Sequence, residues 1–250
     1  MRVDRILLEG RVALITGAAR RIGRATALAL AREGVDIVVH YNTSEDEAQD
    51  LADELLGHGV KAWTVQADFG KPEDYETLIE RTLDTAGSLD ILVNNASIFP
   101  VDKLENVTLD SVASNVEVNA WVPFVLSRSF ASEIGRGKIV NMLDSRISGY
   151  DWSHVGYILS KHMLAVLTRM TALEYAPEIT VNAVSPGLIL PPPGKDHTYL
   201  DQLTSTVPLK RHGEPEDIAE AVLFLVRSEF ITGQVINVDG GRHLREYTNG

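Results

Sequence analysis

The sequence contains no cysteine, and it is poor in aromatic residues, in long apolar runs and in positive charge. Without cysteine, disulfide bonds, thiolate metal ligands and cysteine nucleophiles are excluded. The only apolar run near the amino terminus, residues 6–8, is too short for the core of a signal peptide, and no later run approaches the roughly 18 residues of a membrane span. We therefore expect a cytoplasmic protein with no membrane partner.

Charge and histidine spacing exclude two further classes of function. Lys and Arg number 23 against 35 for Asp and Glu, a formal net charge of −12, whereas a nucleic-acid surface requires clustered positive charge. Five histidines show no spacing typical of metal ligands: His58, His154, His162, His197 and His212. No nucleic-acid partner and no metal site are predicted.

What the sequence does have is a regular alternation of short apolar runs and helical patterns. Strand-like runs occupy residues 12–16, 35–41, 61–66, 89–94, 138–143, 180–184 and 234–238, and helical patterns occupy 22–32, 44–56, 72–84, 108–133, 152–174 and 215–227. This alternation predicts a doubly wound parallel sheet with helices on both faces. The predicted fold class is α/β, a single Rossmann domain over residues 1–250 with a seven-stranded parallel sheet.

One stretch, residues 188–206, interrupts the alternation with Pro191-Pro192-Pro193-Gly194 and then polar residues. A proline run is stiff, so regular structure is not expected around it. Because a loop this long in a compact domain is usually functional or disordered, we predict a lid over a cleft.

The first strand-to-helix turn, Thr16 to Arg24, indicates a dinucleotide site. Its glycines, Gly17 and Gly23, let the backbone turn tightly and approach a pyrophosphate at the positive end of the helix. The cofactor contacts predicted from this turn are Gly17, Arg20, Arg21, Ile22 and Gly23.

The end of the second strand favours NADP over NAD. An NAD site has a carboxylate at the carboxyl end of this strand, where it binds the ribose hydroxyls. Asp36 instead lies at the start of the strand. The far end offers donors instead, which we predict to bind the cofactor together with the cations of the first turn: His40, Tyr41, Asn42, Thr43 and Ser44.

Two further stretches are predicted to face the same cleft. Asn95, Ala96 and Ser97 follow the fourth strand, at the carboxyl edge where such sheets bind ligands. Tyr157 and Lys161 are four residues apart and share one face of a predicted helix, where the lysine charge would lower the pKa of the tyrosine. Taken alone, a tyrosine and a lysine at this spacing are more often a packed phenol beside a solvated ammonium.

With these motifs in order, the sequence resembles the short-chain dehydrogenase/reductase family over almost its whole length. The resemblance implies that Tyr157 exchanges the proton, that Lys161 lowers its pKa and binds the nicotinamide ribose, and that Asn119 holds a proton-relay water. It implies further cofactor contacts at Asp68, Phe69, Met142, Pro186, Gly187 and Leu188.

Two departures from the family pattern narrow the resemblance. Arg21 replaces the middle glycine of the turn, and Asp144 stands 13 residues before Tyr157, where the family has its catalytic serine. Ser145 is one place away and is an alternative. Both departures are similar to those of the pteridine reductases, as are His40-Tyr41, the Asn-Asn-Ala-Ser turn followed by Phe99, and the ending at residues 239–245.

This branch implies an NADPH-dependent reductase that converts a pterin or dihydropterin to its tetrahydro form. The catalytic residues would be Asp144, Tyr157, Lys161 and Asn119, and the substrate would lie against Arg21, Ser97, Phe99, Asp144 and Tyr157. The alternatives are a carbonyl reductase, such as a 3-oxoacyl-carrier-protein reductase, and a regulatory NADP-binding protein without catalysis. The family also implies a homotetramer built on the helices near residues 116–133 and 157–173.

Overall fold

The computed structural model describes residues 7–192 and 194–245, together with the side chains of these residues except His197. Pro193 of the predicted lid, residues 1–6 of the predicted domain and residues 246–250 lie outside the described residues. The strands are β1 Val12–Ile15, β2 Asp36–Tyr41, β3 Ala62–Gln66, β4 Ile91–Asn94, β5 Gly137–Met142, β6 Ile179–Pro186 and β7 Val235–Val238. The helices are α1 Arg21–Ala31, α2 Glu45–Gly57, α3 Pro72–Glu76, α4 Leu78–Ala86, α5 Leu109–Val116, α6 Val122–Glu133, α7 Val155–Glu174, α8 His197–Leu203, α9 Pro215–Arg227 and α10 Arg242–Arg245.

The strands form one seven-stranded sheet in the order β3-β2-β1-β4-β5-β6-β7, and every pair is parallel. This confirms the predicted fold class. The order reverses between β1 and β4, where Ile15 lies beside Val93 in register. A reversal of this kind opens a crevice at the carboxyl ends of the strands.

Alternate residues of each strand supply the two halves of the core, because side chains of a strand point to opposite faces. From β1, Ala13 and Ile15 pack with α1, α2 and α9 on one face, whereas Val12 and Leu14 pack with α4 and α6 on the other. Burial on both faces explains why the strands read as continuous apolar runs in the sequence.

The predicted helix over residues 72–84 is wrong in one respect, because it is two helices that meet at Thr77. The backbone at Thr77 has φ of −98° and ψ of −1°, away from α-helical values, so the ladder of helical hydrogen bonds is interrupted there. The predicted segment 108–133 is also divided, by a π turn at Glu117–Trp121. Pro123 follows this turn and has no N–H to donate to the Asn119 carbonyl, so the α-helical ladder cannot continue through it.

The lid contains a helix where none was expected. Residues 197–203 form α8, and the carboxylate of Asp196 caps it by accepting from the Thr198 N–H (3.1 Å). Among the described residues, no helix is long and apolar enough to cross a membrane.

Candidate active site

A cleft of about 1070 Å³ lies at the carboxyl ends of the strands and brings most of the predicted site residues together. The predicted residues that line it are Gly17, Arg20, Arg21, Ile22, Gly23, His40, Tyr41, Asn42, Thr43, Ser44, Phe69, Asn95, Ala96, Ser97, Phe99, Met142, Asp144, Tyr157, Lys161, Pro186, Gly187 and Leu188. Asp68 and Asn119 are not in the lining. The carboxylate of Asp68 instead accepts from the Gly70 N–H (3.0 Å) and the Asn42 amide (3.4 Å), so it is used in the local turn.

The turn between β1 and α1 has two positions, Gly17 and Gly23, at which only glycine fits; we call this turn the glycine cradle. A Cβ on Gly23 would lie 2.4 Å from the Gly17 carbonyl oxygen, and one on Gly17 would lie 3.0 Å from the Cα of Ala96. Thr16 and Asn95 join this turn to the end of β4, because the Thr16 hydroxyl accepts from the Asn95 N–H (2.9 Å) and the Asn95 amide donates to the Thr16 carbonyl (2.8 Å).

Arg21 adopts a left-handed conformation, with φ of 56°. This conformation costs an L residue roughly 1–2 kcal/mol, which explains why a glycine is favoured there. The Arg21 guanidinium donates to the Pro191 carbonyl (2.9 Å), so it ties the turn to the lid. Arg20 is ion-paired with Glu47 at the start of α2.

His40 does not act as the predicted donor to a phosphate, because it is buried and both ring nitrogens are in use. Its Nδ1 accepts from the Gly17 N–H (3.0 Å), and its Nε2 lies 3.1 Å from the Ala67 carbonyl. The ring also stacks on Phe69, with centroids 4.5 Å apart. Burial lowers the pKa of His40 to about 4. His40 therefore supports the turn as a neutral side chain.

Asp144, Tyr157 and Lys161 meet at the end of β5. The Tyr157 hydroxyl donates to the Asp144 carboxylate (2.9 Å), and the Lys161 ammonium donates to the Met142 carbonyl (2.8 Å). Burial and the Asp144 charge raise the pKa of Tyr157 well above its usual value. The role of Lys161 in lowering this pKa stays a prediction; burial lowers the pKa of Lys161 itself to about 8.

The sequence analysis missed Arg146, which contacts Asp144 with three nitrogens: its backbone N–H donates to Asp144 Oδ1 (2.9 Å), and two guanidinium nitrogens contact the same carboxylate. Its Nε lies 3.1 Å from Asp144 Oδ1 and its Nη2 lies 2.9 Å from Asp144 Oδ2, while Nη1 lies 2.7 Å from Asp151 Oδ2. The only signal in the sequence was an arginine two residues beyond Asp144, past the carboxyl end of a strand. Lys195, Tyr199 and Arg242 also line the cleft and were missed.

Phe99 is already in contact with several side chains. Its ring stacks on His154 (centroids 3.9 Å apart), lies under the Arg146 guanidinium (4.6 Å) and meets Tyr157 edge-on (4.6 Å). A flat substrate has access only to the part of the ring that these neighbours leave open. Stacking on Phe99 therefore stays a prediction.

Asn119 is buried in the π turn, and its amide holds neighbouring segments together. Its Oδ1 accepts from the Ile98 N–H (2.9 Å) and the Ser97 hydroxyl (3.0 Å), and its Nδ2 donates to the Ser160 hydroxyl (3.1 Å). Its role in a water relay stays a prediction. Ser145, the alternative to Asp144, also lines the cleft.

No group of three or more His, Asp or Glu is arranged to hold a metal in the part of the chain that the structure describes. The cleft is instead built for a dinucleotide, because it combines the glycine cradle, the open first turn of α1 and the switch point of the sheet. These features define a nucleotide-dependent oxidoreductase of the doubly wound class.

The comparisons with known proteins agree with this class. Residues 17–243 match the family model described as enoyl-(acyl carrier protein) reductase. A 3-oxoacyl-[acyl-carrier-protein] reductase, FabG, of Staphylococcus epidermidis is 34% identical over 93% of this chain and 98% of its own length. The structures of FolM alternative dihydrofolate reductase 1 from Brucella canis and Brucella suis, both NADP complexes, superpose with TM-scores of 0.91 and 0.90, at 33% identity and over 97% of this chain and 98% of theirs.

The chain belongs to the short-chain dehydrogenase/reductase family. The names of these relatives differ, however: the Staphylococcus epidermidis protein is a 3-oxoacyl-[acyl-carrier-protein] reductase, and the two Brucella structures are of an alternative dihydrofolate reductase.

The buried His40 predicts a pH dependence of stability. The folded protein keeps the imidazole neutral down to a pKa of about 4, whereas the unfolded chain takes up a proton near pH 6.5. The free energy of unfolding should therefore fall, by up to about 3 kcal/mol, as the pH drops from 6.5 to 4. Urea denaturation across this range measures it. The slope should be smaller in His40→Gln and unchanged in His58→Gln, whose imidazole is exposed; equal slopes in all three proteins would contradict the assignment.

The glycine cradle predicts a second result. Gly23→Ala would place a Cβ 2.4 Å from a backbone oxygen, so dinucleotide affinity should fall at least about tenfold as the turn shifts. Gly57→Ala is the matched control, since a Cβ there meets nothing within 4 Å. Titration of NADPH fluorescence measures both affinities, and an unchanged Kd for Gly23→Ala would show that the cradle does not hold the cofactor.

Proposed function

We propose that this protein is an NADPH-dependent reductase that transfers one hydride to a dihydropterin, or two in succession from two NADPH to a pterin, and releases the tetrahydro form. The observation that carries the proposal is the Asp144 carboxylate, 2.9 Å from the Tyr157 hydroxyl. Asp144 occupies the position at which the family otherwise has a serine that stabilises a carbonyl oxygen. A pterin is reduced at a C=N bond, where a nitrogen must be protonated. The similarity to the Brucella alternative dihydrofolate reductases supports the same substrate class.

The residues present fit NADP. The N–H groups at the start of α1 and the glycine cradle can hold the pyrophosphate, and no carboxylate of β2 lies at the end where it would repel a 2′-phosphate. Asp36 is at the opposite end, where it accepts from the Lys61 N–H (2.7 Å). Asn42, Thr43 and Ser44 line the cleft beside Arg20 and would surround that phosphate. When bound, NADPH supplies the hydride.

The proton chemistry follows from the contacts of Tyr157. Because its pKa is raised well above 10, the phenol keeps its proton across the neutral range. This is the form that donates a proton during a reduction. Asp144 accepts the phenol hydrogen bond and would hold the Tyr157 hydroxyl beside the substrate, to which Tyr157 would give its proton. Lys161, held by the Met142 carbonyl, would contact the nicotinamide ribose.

Reduction of a ketone, such as a 3-oxoacyl carrier-protein thioester, is the second candidate. The similarity to FabG of Staphylococcus epidermidis over almost the whole chain favours it, and Ser145 lines the cleft one residue from Asp144. A regulatory role without catalysis is the third. The meeting of Asp144, Tyr157 and Lys161 in one cleft argues against it, since a sensor of NADP needs no proton donor.

A substrate panel separates these candidates. NADPH oxidation should be fast with dihydrobiopterin, dihydromonapterin or dihydrofolate, and slow with acetoacetyl thioesters. The measurement is the loss of NADPH absorbance with each substrate. The reverse order of rates would establish the ketone reductase, and NADPH binding without turnover of any substrate would establish the regulatory role.

Variants of the proton-handling pair test the mechanism. Tyr157→Phe and Asp144→Asn should each lower kcat about 100-fold or more with little change in the Kd for NADPH, because positioned acid–base groups contribute on this scale. Ser145→Ala is the control, since it removes the rival hydroxyl and should keep most of the activity. Full activity in Tyr157→Phe would refute the mechanism, and loss of activity only in Ser145→Ala would favour the ketone reductase.

We also propose that the protein is a cytoplasmic homo-oligomer, a tetramer, in which α7 packs against a second copy. Leu159, Val166, Met170 and Leu173 lie on one face of α7 and are 48%, 53%, 60% and 83% exposed. Apolar side chains at this spacing form a continuous stripe, and monomers seldom leave such a stripe uncovered. Met170→Glu should therefore shift the sedimentation velocity toward a smaller species, whereas Leu244→Glu, on the exposed α10, should not. A monomeric wild-type protein would contradict the proposal.

A further inference from the structure

Arg146 joins all three segments that form the reacting end of the cleft. It binds both oxygens of Asp144 at the end of β5, with distances of 3.1 and 2.9 Å. It binds Asp151 in the segment that leads into α7 (2.7 Å), and its guanidinium lies over the rings of Phe99 (4.6 Å) and Tyr157 (5.4 Å). Its side chain is only 28% exposed. A partly buried bidentate pair of this kind has a fixed geometry.

The second carboxylate, Asp151, is also fully engaged. Its Oδ1 accepts from the N–H groups of Ser153 (2.8 Å) and His154 (3.1 Å), and its Oδ2 lies 3.1 Å from the His154 ring nitrogen. Asp151 thereby fixes the turn immediately before α7, the helix that carries Tyr157. Arg146 is the positive charge that Asp144 and Asp151 share, so its removal would leave two poorly solvated carboxylates close together.

We propose that Arg146 is the positioning residue of the site: it aims the Asp144 carboxylate at the Tyr157 hydroxyl and supplies the positive charge that offsets it. The contacts of Arg146 are those of the unliganded protein and do not depend on the substrate. Only the activity assay below rests on the proposed function.

The electrostatics of Tyr157 agree with this geometry. Burial and Asp144 raise its pKa, and Arg146 opposes that rise through its charge and its hydrogen bonding. The groups that face the Tyr157 side chain are Asp144, Arg146, Phe99 and Lys161, with Asp151 and His154 one contact further away. Lys161 lies 5.6 Å from the ring centroid and donates to a backbone carbonyl. Arg146 is therefore a cation that lowers the pKa of Tyr157 in this structure.

The test compares Arg146→Gln and Arg146→Lys with the wild-type protein on whichever substrate class turns over. We expect kcat to fall about 10- to 100-fold in Arg146→Gln, since a catalytic group displaced by about 1 Å loses activity on this scale. The Kd for NADPH should change less than about twofold. Removal of the charge raises the pKa of Tyr157 further, so the pH profile of Tyr157 ionisation, measured as the absorbance difference from Tyr157→Phe, should move to higher pH in Arg146→Gln and move less in Arg146→Lys, which keeps the charge.

Two comparisons separate positioning from general stability. Arg11→Gln breaks an Arg–Asp pair at the opposite end of the sheet, where Arg11 lies 2.6 Å from Asp90, and it should leave the pH profile unchanged. In an Asp144→Asn background, Arg146→Gln should lower kcat by less than about threefold further, because the carboxylate that it positions is gone. Additive losses of activity, or a pH profile that does not depend on the charge at position 146, would overturn the proposal.

A structural measurement keeps the proposal testable if no substrate is turned over. A crystal structure of unliganded Arg146→Gln should show the Asp144 carboxylate rotated away from the Tyr157 hydroxyl. If the two groups remain 2.9 Å apart, as in the wild-type protein, Arg146 does not position Asp144 and the proposal fails. If the substrate panel alone gives no turnover, only the proposed function fails.

Discussion

The hydrogen bonds between Thr16 and Asn95 fix the geometry on which the rest of the cleft depends. They join the ends of β1 and β4, where the order of the sheet reverses. The Asn95 amide also donates to the Gly17 carbonyl (3.1 Å), and the buried His40 holds the Gly17 N–H from the other side. The turn that receives the cofactor is therefore set by side chains that are already paired, so binding does not have to order it.

A second set of buried side-chain amides connects the ends of β4 and β5 to α7 by hydrogen bonds. Asn94 of β4 donates to Asn141 of β5 (2.8 Å), which donates to the Thr168 hydroxyl of α7 (2.9 Å). Asn119 likewise connects the segment after β4 to Ser160 of α7. Because unpaired amides are costly in the interior, these bonds fix the register of α7 against the sheet. The position of Tyr157 follows from them.

The sequence was sufficient to predict the sheet but not the breaks in its helices. Parallel strands are buried on both faces, so each one is visible as a short apolar run, and the turn glycines mark where it ends. The division at Thr77 is a local change of backbone angles, and the π turn is followed by Pro123, which has no N–H to donate. Neither disturbs the apolar periodicity from which helices are predicted. Similarly, spacing identified which residues reach the carboxyl edge, including Asp144 and Tyr157. It could not identify which charged side chains pair there.

The gap between what the sequence predicted and what the structure shows is largest for the interactions between charged side chains. Lys161 is four residues from Tyr157 in sequence, which suggested that the ammonium controls the phenol, yet Lys161 is bound to the Met142 carbonyl and Arg146 lies in the position to offset Asp144. Charge effects inside a protein depend on distance and burial, and neither is fixed by helical spacing alone. His40 is a second example. This polar side chain at the end of β2 was expected to bind the cofactor, but its ring nitrogens contact the Gly17 N–H and the Ala67 carbonyl.

The same reasoning explains why overall similarity leaves the substrate open. Identities of 33% and 34% to two differently named kinds of reductase extend over 97% and 93% of the chain, so they follow the fold as a whole and not the reacting end of the cleft alone. The choice between a ketone and a pterin depends on a few side chains at one end of the cleft, above all Asp144 and the residues that hold it. A carboxylate there cannot donate a hydrogen bond to a carbonyl oxygen while it is ionised and paired with Arg146. It can accept one from Tyr157 or from a ring N–H, and a pterin carries such groups along its polar edge.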